Sequence, residues 1–139
     1  MKIMSITTKP KQIVLSTVFL SHLTASNLAM AQEPIPNLIG IWSGPNNTIS
    51  ETKGYKTRKK TIEITEQKGR RFRGQFNYAG DIKNFFGVIY PDNISFTWVS
   101  TNSNGYNFGR IHDKDHISAC FIEAGKKASA GCAELKRQQ

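Results

Sequence analysis

From Leu38 to Leu135 the chain repeats one pattern: apolar and polar residues alternate for a short run, then stop at a cluster of Gly, Asn, Asp or Pro. Alternation of period two places successive side chains on opposite faces of a half-buried strand. Turn clusters recurring every roughly 8–12 residues leave no room for helical crossovers, so neighbouring strands must run antiparallel. The pattern predicts eight strands, Leu38–Ser43, Arg58–Thr65, Arg71–Tyr78, Asn84–Tyr90, Ile94–Ser100, Tyr106–His112, His116–Glu123 and Ala128–Leu135. The expected fold is all-β, an eight-stranded antiparallel up-and-down barrel, because closure removes the unpaired edges that a meander of this length would expose. The longest link, Gly44 to Thr57, is polar and basic and reads as a mobile flap.

The turns also predict which residues share a face. A two-residue turn at Pro91-Asp92 sets Phe85, Gly87 and Ile89 beside Ile94, Phe96 and Trp98, and later turns add Asn107, Gly109 and Ile111, then Ile117, Ala119 and Phe121, then Gly131, Ala133 and Leu135. Phe72, Gly74, Phe76 and Tyr78 join them, leaving Arg71, Arg73, Gln75 and Asn77 outside. A slip of one residue at any turn would invert a whole strand, so this agreement supports the register. Gly74, Gly87, Gly109 and Gly131 fall inward, where glycine marks either a bend or the close approach of another group to the backbone. Phe86, Val88, Val99 and Phe108 fall outward, more apolar than a solvated sheet requires, which points either to a homo-oligomer or partner contact through the outer face of the middle strands or to a different register.

The first 31 residues have a different character. Lys2, Lys9 and Lys11 precede an apolar run from Ile13 to Leu20, and Ala29-Met30-Ala31 supplies a small-x-small cleavage site. This reads as a secretory signal peptide, residues 1–31, followed by a single barrel domain, residues 32–139, in the periplasm or outside the cell. The apolar run is shorter than the ~20 residues that a membrane span needs. Cys120 and Cys132 are the two cysteines. In an oxidising compartment an even count reads as a disulfide, and a hairpin centred on Lys126 places the two directly opposite each other.

Loss of the leader lysines would lower the net charge from +9 to +6, and nine of the remaining cations lie between Lys53 and Arg73. A basic surface favours anionic partners. Nucleic acid is not expected, because the aromatics of the third strand point inward while its arginines point outward. An anionic envelope component is the partner that this charge would suit.

Gly40-Ile41-Trp42 at the start of the first strand, after Pro34-Ile35-Pro36-Asn37, resembles the Gly-x-Trp opening of the lipocalins and other calycins. The resemblance implies an eight-stranded barrel with Trp42 at its closed end and a late basic residue, here Arg137, packed over it. The C-terminal helix typical of lipocalins is missing. Avidin-like proteins and exported barrel-type protease inhibitors are similar in size and architecture.

No nucleophile elbow, phosphate loop or metalloprotease helix motif occurs. His112 and His116 bracket Asp113-Lys114-Asp115, which reads as a polar hairpin tip, since two nitrogens beside a lysine fall short of a metal's ligand set. Neither catalysis, nor a cofactor, nor a metal is therefore expected. The reading that follows is of a binding protein for a small, mainly apolar ligand held inside the barrel by Phe76, Tyr78, Phe96, Trp98 and Asn107. The alternative is a protein-interaction or inhibitor module that works through the Gly44–Thr57 loop and the basic surface.

Overall fold

The computed structural model describes residues 33–78 and 80–139, with Tyr78 placed by its backbone alone; the expected leader and its cleavage site lie outside the described residues. Eight strands follow one another, β1 (Gly40–Ser50), β2 (Gly54–Lys68), β3 (Arg71–Tyr78), β4 (Asp81–Ile89), β5 (Ser95–Ser100), β6 (Tyr106–Asp113), β7 (His116–Glu123) and β8 (Ser129–Arg137). Each pairs antiparallel with the next, and β8 closes on β1, giving a closed eight-stranded up-and-down barrel. Among the described residues there is no helix.

The interior is built from the residues that alternation turns inward. Trp42, Ile62, Phe85, Ile117, Ala133 and Leu135 are fully enclosed, with Phe72, Phe96 and Trp98 packed among them. Four of the inward glycines have a specific use. Each lies directly across the ladder from a phenylalanine: Gly74 from Phe85, Gly87 from Phe72, Gly109 from Phe96 and Gly131 from Phe121. A Cβ would meet the Phe85 ring at 2.5 Å on Gly74, the Phe72 and Phe96 rings at 2.3 Å on Gly87 and Gly109, and the Phe121 ring at 2.8 Å on Gly131. The bare backbone is thus the seat of the neighbouring ring, and the space the glycines leave is taken by the protein itself.

The β1–β2 and β4–β5 links differ from the sequence reading. Gly44–Thr57 is not a flap, because β1 runs to Ser50, β2 starts at Gly54, and the pair continues in register from Gly40↔Ile64 to Ser50↔Gly54. The alternation is hidden there because the inward positions Asn46, Thr48, Lys56 and Arg58 are polar. Pro45, which has no N–H to give, sits where the β1–β8 ladder skips from Ser43↔Lys136 to Asn46↔Ala133. The β4–β5 turn is two residues longer than expected, with Ile89 opposite Phe96 and Tyr90 facing Ser95 rather than Asn93. Asp92 explains it: its carboxylate accepts hydrogen bonds from the backbone N–H of Ile94 and Ser95 at 2.9 and 2.8 Å, and Asn93 takes a φ of 57°. The Ser95 and Ile94 backbone donors hold that carboxyl below its ordinary range. Because the register changes by an even number, the faces survive, except that Ile94 leaves the interior for the surface.

Cys120 and Cys132 are cross-strand partners with Cα atoms 3.9 Å apart, and they form a disulfide on the outer face of the C-terminal hairpin.

Candidate functional site

The two ends of the barrel differ. At one end, residues 33–39 cross the opening and are tied to the ends of β2 and β8 and to the β4–β5 turn. Gln67 accepts from Leu38 N–H and donates to Pro36 O, both at 2.8 Å, and Asn93 donates to Glu33 O at 2.8 Å. Leu38 is buried, and its carbonyl accepts the indole N–H of Trp42 at 2.9 Å. The guanidinium of Arg137, the last residue of β8, lies 4.2 Å from the Trp42 ring centroid, where attraction between cation and ring is strong. It donates to Asn37 O and Lys114 O, each at 2.8 Å, and also to Ile39 O. Gly40 has a φ of +133°, closed to most side chains, and the Arg137 guanidinium lies 3.0 Å from where a Cβ would project. Gly40, Trp42 and Arg137 therefore form one closure.

The other end is the mouth, and it holds a charge. β2 carries Ile64 and Ile62 into the core, and by the same alternation its next inward residue is Lys60. The ammonium lies 5.8 Å from the ring centroid of Phe76 on β3, 5.7 Å from Trp98 on β5 and 5.6 Å from Phe121 on β7. Three strands spread around the barrel thus present rings to one cation, within the range of cation–π attraction. No carboxylate pairs with Lys60 among the described residues. Burial pushes its pKa down from 10.5 to about 8. Arg58 and Lys56 follow on the same face of β2, so the approach to the mouth is positive as well.

Two carboxamides complete this end. Asn107 is buried, lies in one register row between Trp98 and Phe121, and donates to Trp98 O at 3.5 Å. Asn46, opposite Arg58 and Ala133, has a carboxamide oxygen shielded from solvent with no hydrogen-bond partner among the described residues. An unpaired buried acceptor costs about 1–3 kcal/mol, and a donor supplied from outside would relieve it.

The five residues expected to line a pocket thus divide. Phe76, Trp98 and Asn107 belong to the mouth, whereas Phe96 lies deeper, stacked on Trp98 at 5.5 Å and seated on Gly109. Tyr78 lies two residues beyond Phe76 on β3, with its backbone opposite Asp81. Sequence reasoning missed Lys60 and Phe121 as site residues. The signal for Lys60 was available: it is in phase with Ile62 and Ile64, but in a basic stretch it reads as surface.

The outer face carries a second feature. Phe86, Val99, Tyr106, Ile122, Ile49 and Tyr55 are exposed, and they fall on one register row interrupted only by Ala130. Beside it, Arg71, Arg73, Phe86, Val88, Thr97 and Val99 line an open groove of about 620 Å³.

No protein-family model matches the chain, and no curated protein matches it. Among solved structures it resembles a protein of unknown function from the DUF3598 family of Nostoc punctiforme, with a TM-score of 0.58 and 12% identity over 81% of this chain and 53% of that one. The chain thus spans about half the length of that relative. A redesigned β-barrel aligns with a TM-score of 0.46 and 12% identity, over 73% of this chain and 92% of that one. At this identity, the likeness to the Nostoc protein is one of barrel fold alone.

Proposed function

We propose that this chain is an exported, calycin-like binding protein that takes a small amphipathic ligand, mainly apolar with one acidic group, at the mouth of the barrel. The observation that carries this reading is Lys60, a cation inside a ring of aromatics with no carboxylate to neutralise it. A desolvated charge is costly, and an anion arriving with its own apolar body would offset that cost while covering the rings. The filled lower barrel supports a ligand seated at the mouth rather than deep inside. The calycin relation is supported by Gly40 and by Arg137 over Trp42 at the opposite end.

A medium-chain fatty acid and the alcohol of equal length, titrated against Trp98 fluorescence, test the proposal. The acid is expected to bind at least ten times more tightly, and Lys60→Met to remove that preference. The pH profile follows from the lysine. With a pKa of about 8 in the free protein, Lys60 is charged well below that value and half neutral at it, so acid binding should be constant from about pH 6 to 7, fall to about half near pH 8 and weaken as pH rises further. The same depressed value means that the cost of burying the charge is fully present below pH 8 and is relieved between about 8 and 10.5, so the ligand-free fold gains stability over that window. Equal affinity for acid and alcohol, or acid binding unchanged in Lys60→Met, would refute the role of the lysine.

Export is tested separately. Mass spectrometry of the secreted protein is expected to find Gln32 at the N-terminus and a mass two hydrogens below that of the reduced chain. Retention of Met1 would overturn it.

A second reading, a protein-interaction module, is favoured by the exposed apolar row on the outer face. Arg71 beside it suits an acidic partner, whereas Arg73 is already paired with Glu66. Failure of both probes to bind at the mouth would move the weight to this reading.

A further inference from the structure

We propose that His112, His116 and Glu134 form a binding site for a divalent first-row metal ion of the Zn2+ type on the outer face, independent of the mouth. The site is made by a defect in the sheet. β6 and β7 pair regularly to Ile111↔Ile117, but the next pair is Asp113↔His116, so His112 is an extra residue bulged out of the ladder. A bulge re-aims the side chain it carries. Here it sets the imidazole of His112 against that of His116, with ring centroids 4.6 Å apart and planes 26° from parallel. β8 brings the third group: Glu134, opposite Ser118, reaches the Nε2 of His116 with Oε2 at 2.8 Å. One ligating atom from each of the three lies within 4.8 Å of the others.

Two imidazoles and one carboxylate are a ligand set that Zn2+ accepts with a position left open, and imidazole selects against Ca2+ and Mg2+, which take oxygen. With Nδ1 of His112 as the ligating atom, Ser118 would serve as an outer partner, its hydroxyl 2.9 Å from Nε2. In the sequence, a set of only two nitrogens and the neighbouring Lys114 spoke against a metal. Lys114 turns to Asp115, at 3.7 Å. Lys136 opposite His116 and Arg110 opposite Ser118 remain, and Glu134 and Asp113 offset them. Glu134 was invisible from sequence because it lies 18 residues beyond His116 and meets it only through barrel pairing.

The test is calorimetric titration of the tag-free protein with Zn2+, and with Ca2+ and Mg2+ for comparison. We expect one Zn2+ per chain and no response to the other two ions. His112→Ala and His116→Ala should each weaken binding roughly tenfold or more, and Glu134→Gln should weaken it less. All three side chains point outward, so circular dichroism should show these variants folded, and Zn2+ should raise the Tm of the wild type but not of the double histidine variant. Absence of Zn2+ binding at millimolar ion, or binding unchanged when both His112 and His116 are alanine, would overturn the site.

Discussion

Replacing Trp98 by alanine is expected to cost the fold about 3–5 kcal/mol, the range for truncating a large enclosed aromatic. The indole is 2% exposed. It stacks on Phe96 at 5.5 Å and lies 5.3 Å from Phe85, so its removal strips contacts from two rings that are themselves seated on Gly109 and Gly74. Neither ring can follow into the space without leaving its glycine. A domain of this size holds roughly 5–15 kcal/mol, which places the variant close to unfolding. Trp98→Phe keeps a ring against Phe96 and should lose far less. Urea unfolding followed by circular dichroism separates the two, with Trp42 left as the fluorescent reporter at the opposite end. A loss below about 1 kcal/mol for the alanine variant would mean that the indole is not packed as described.

Opening the disulfide is expected to cost about 3 kcal/mol, from the entropy that a short closed loop withholds from the unfolded chain. For a domain of about 100 residues this lowers Tm by something on the order of 10–20 °C. The bond can be reached without unfolding, because Phe121 and Gly131 take the inward positions and leave Cys120 and Cys132 outside, Cys132 exposed. A mild reductant should therefore act on the native protein, and Cys120→Ser with Cys132→Ser should reproduce the reduced stability. Loss of most of the barrel's secondary structure on reduction at 25 °C would show that the hairpin is held by the bond rather than by Ala119, Ala133 and Leu135 packed beneath it.

Strand count, order and facing were legible in the sequence because one face of each strand is continuously apolar around turns of strong local chemistry. The ends of β1 and β2 were not, since alternation carries no hydrophobic signal where Asn46, Thr48, Arg58 and Lys56 face inward. The site suffered from the same effect. Phe76, Trp98 and Asn107 could be placed on the inward face, but neither their grouping at one end of the barrel nor the place of Lys60 among them was visible, since both depend on barrel closure. Composition treats a lysine as solvated, and its phase with Ile62 was the sole indication otherwise. The β6–β7 bulge was also hidden, as a three-residue loop and a two-residue turn plus one bulged residue have the same length.

The phenylalanine–glycine pairs act as keys for strand alignment. Each ring fits over a single partner position, and displacement by two residues along the strand, which hydrophobic alternation alone would tolerate, brings the ring of Phe72 over Phe85 or Ile89 instead of Gly87. Pairs of this kind join β3 to β4, β5 to β6 and β7 to β8, each a hairpin of neighbouring strands. Correct alignment can therefore be checked locally, hairpin by hairpin, before β8 ever meets β1. The barrel inherits its shear from three short-range recognitions and spends its long-range search on closure alone. Substitution histories should carry the same mark, with a lost glycine tolerated where its partner ring is lost as well.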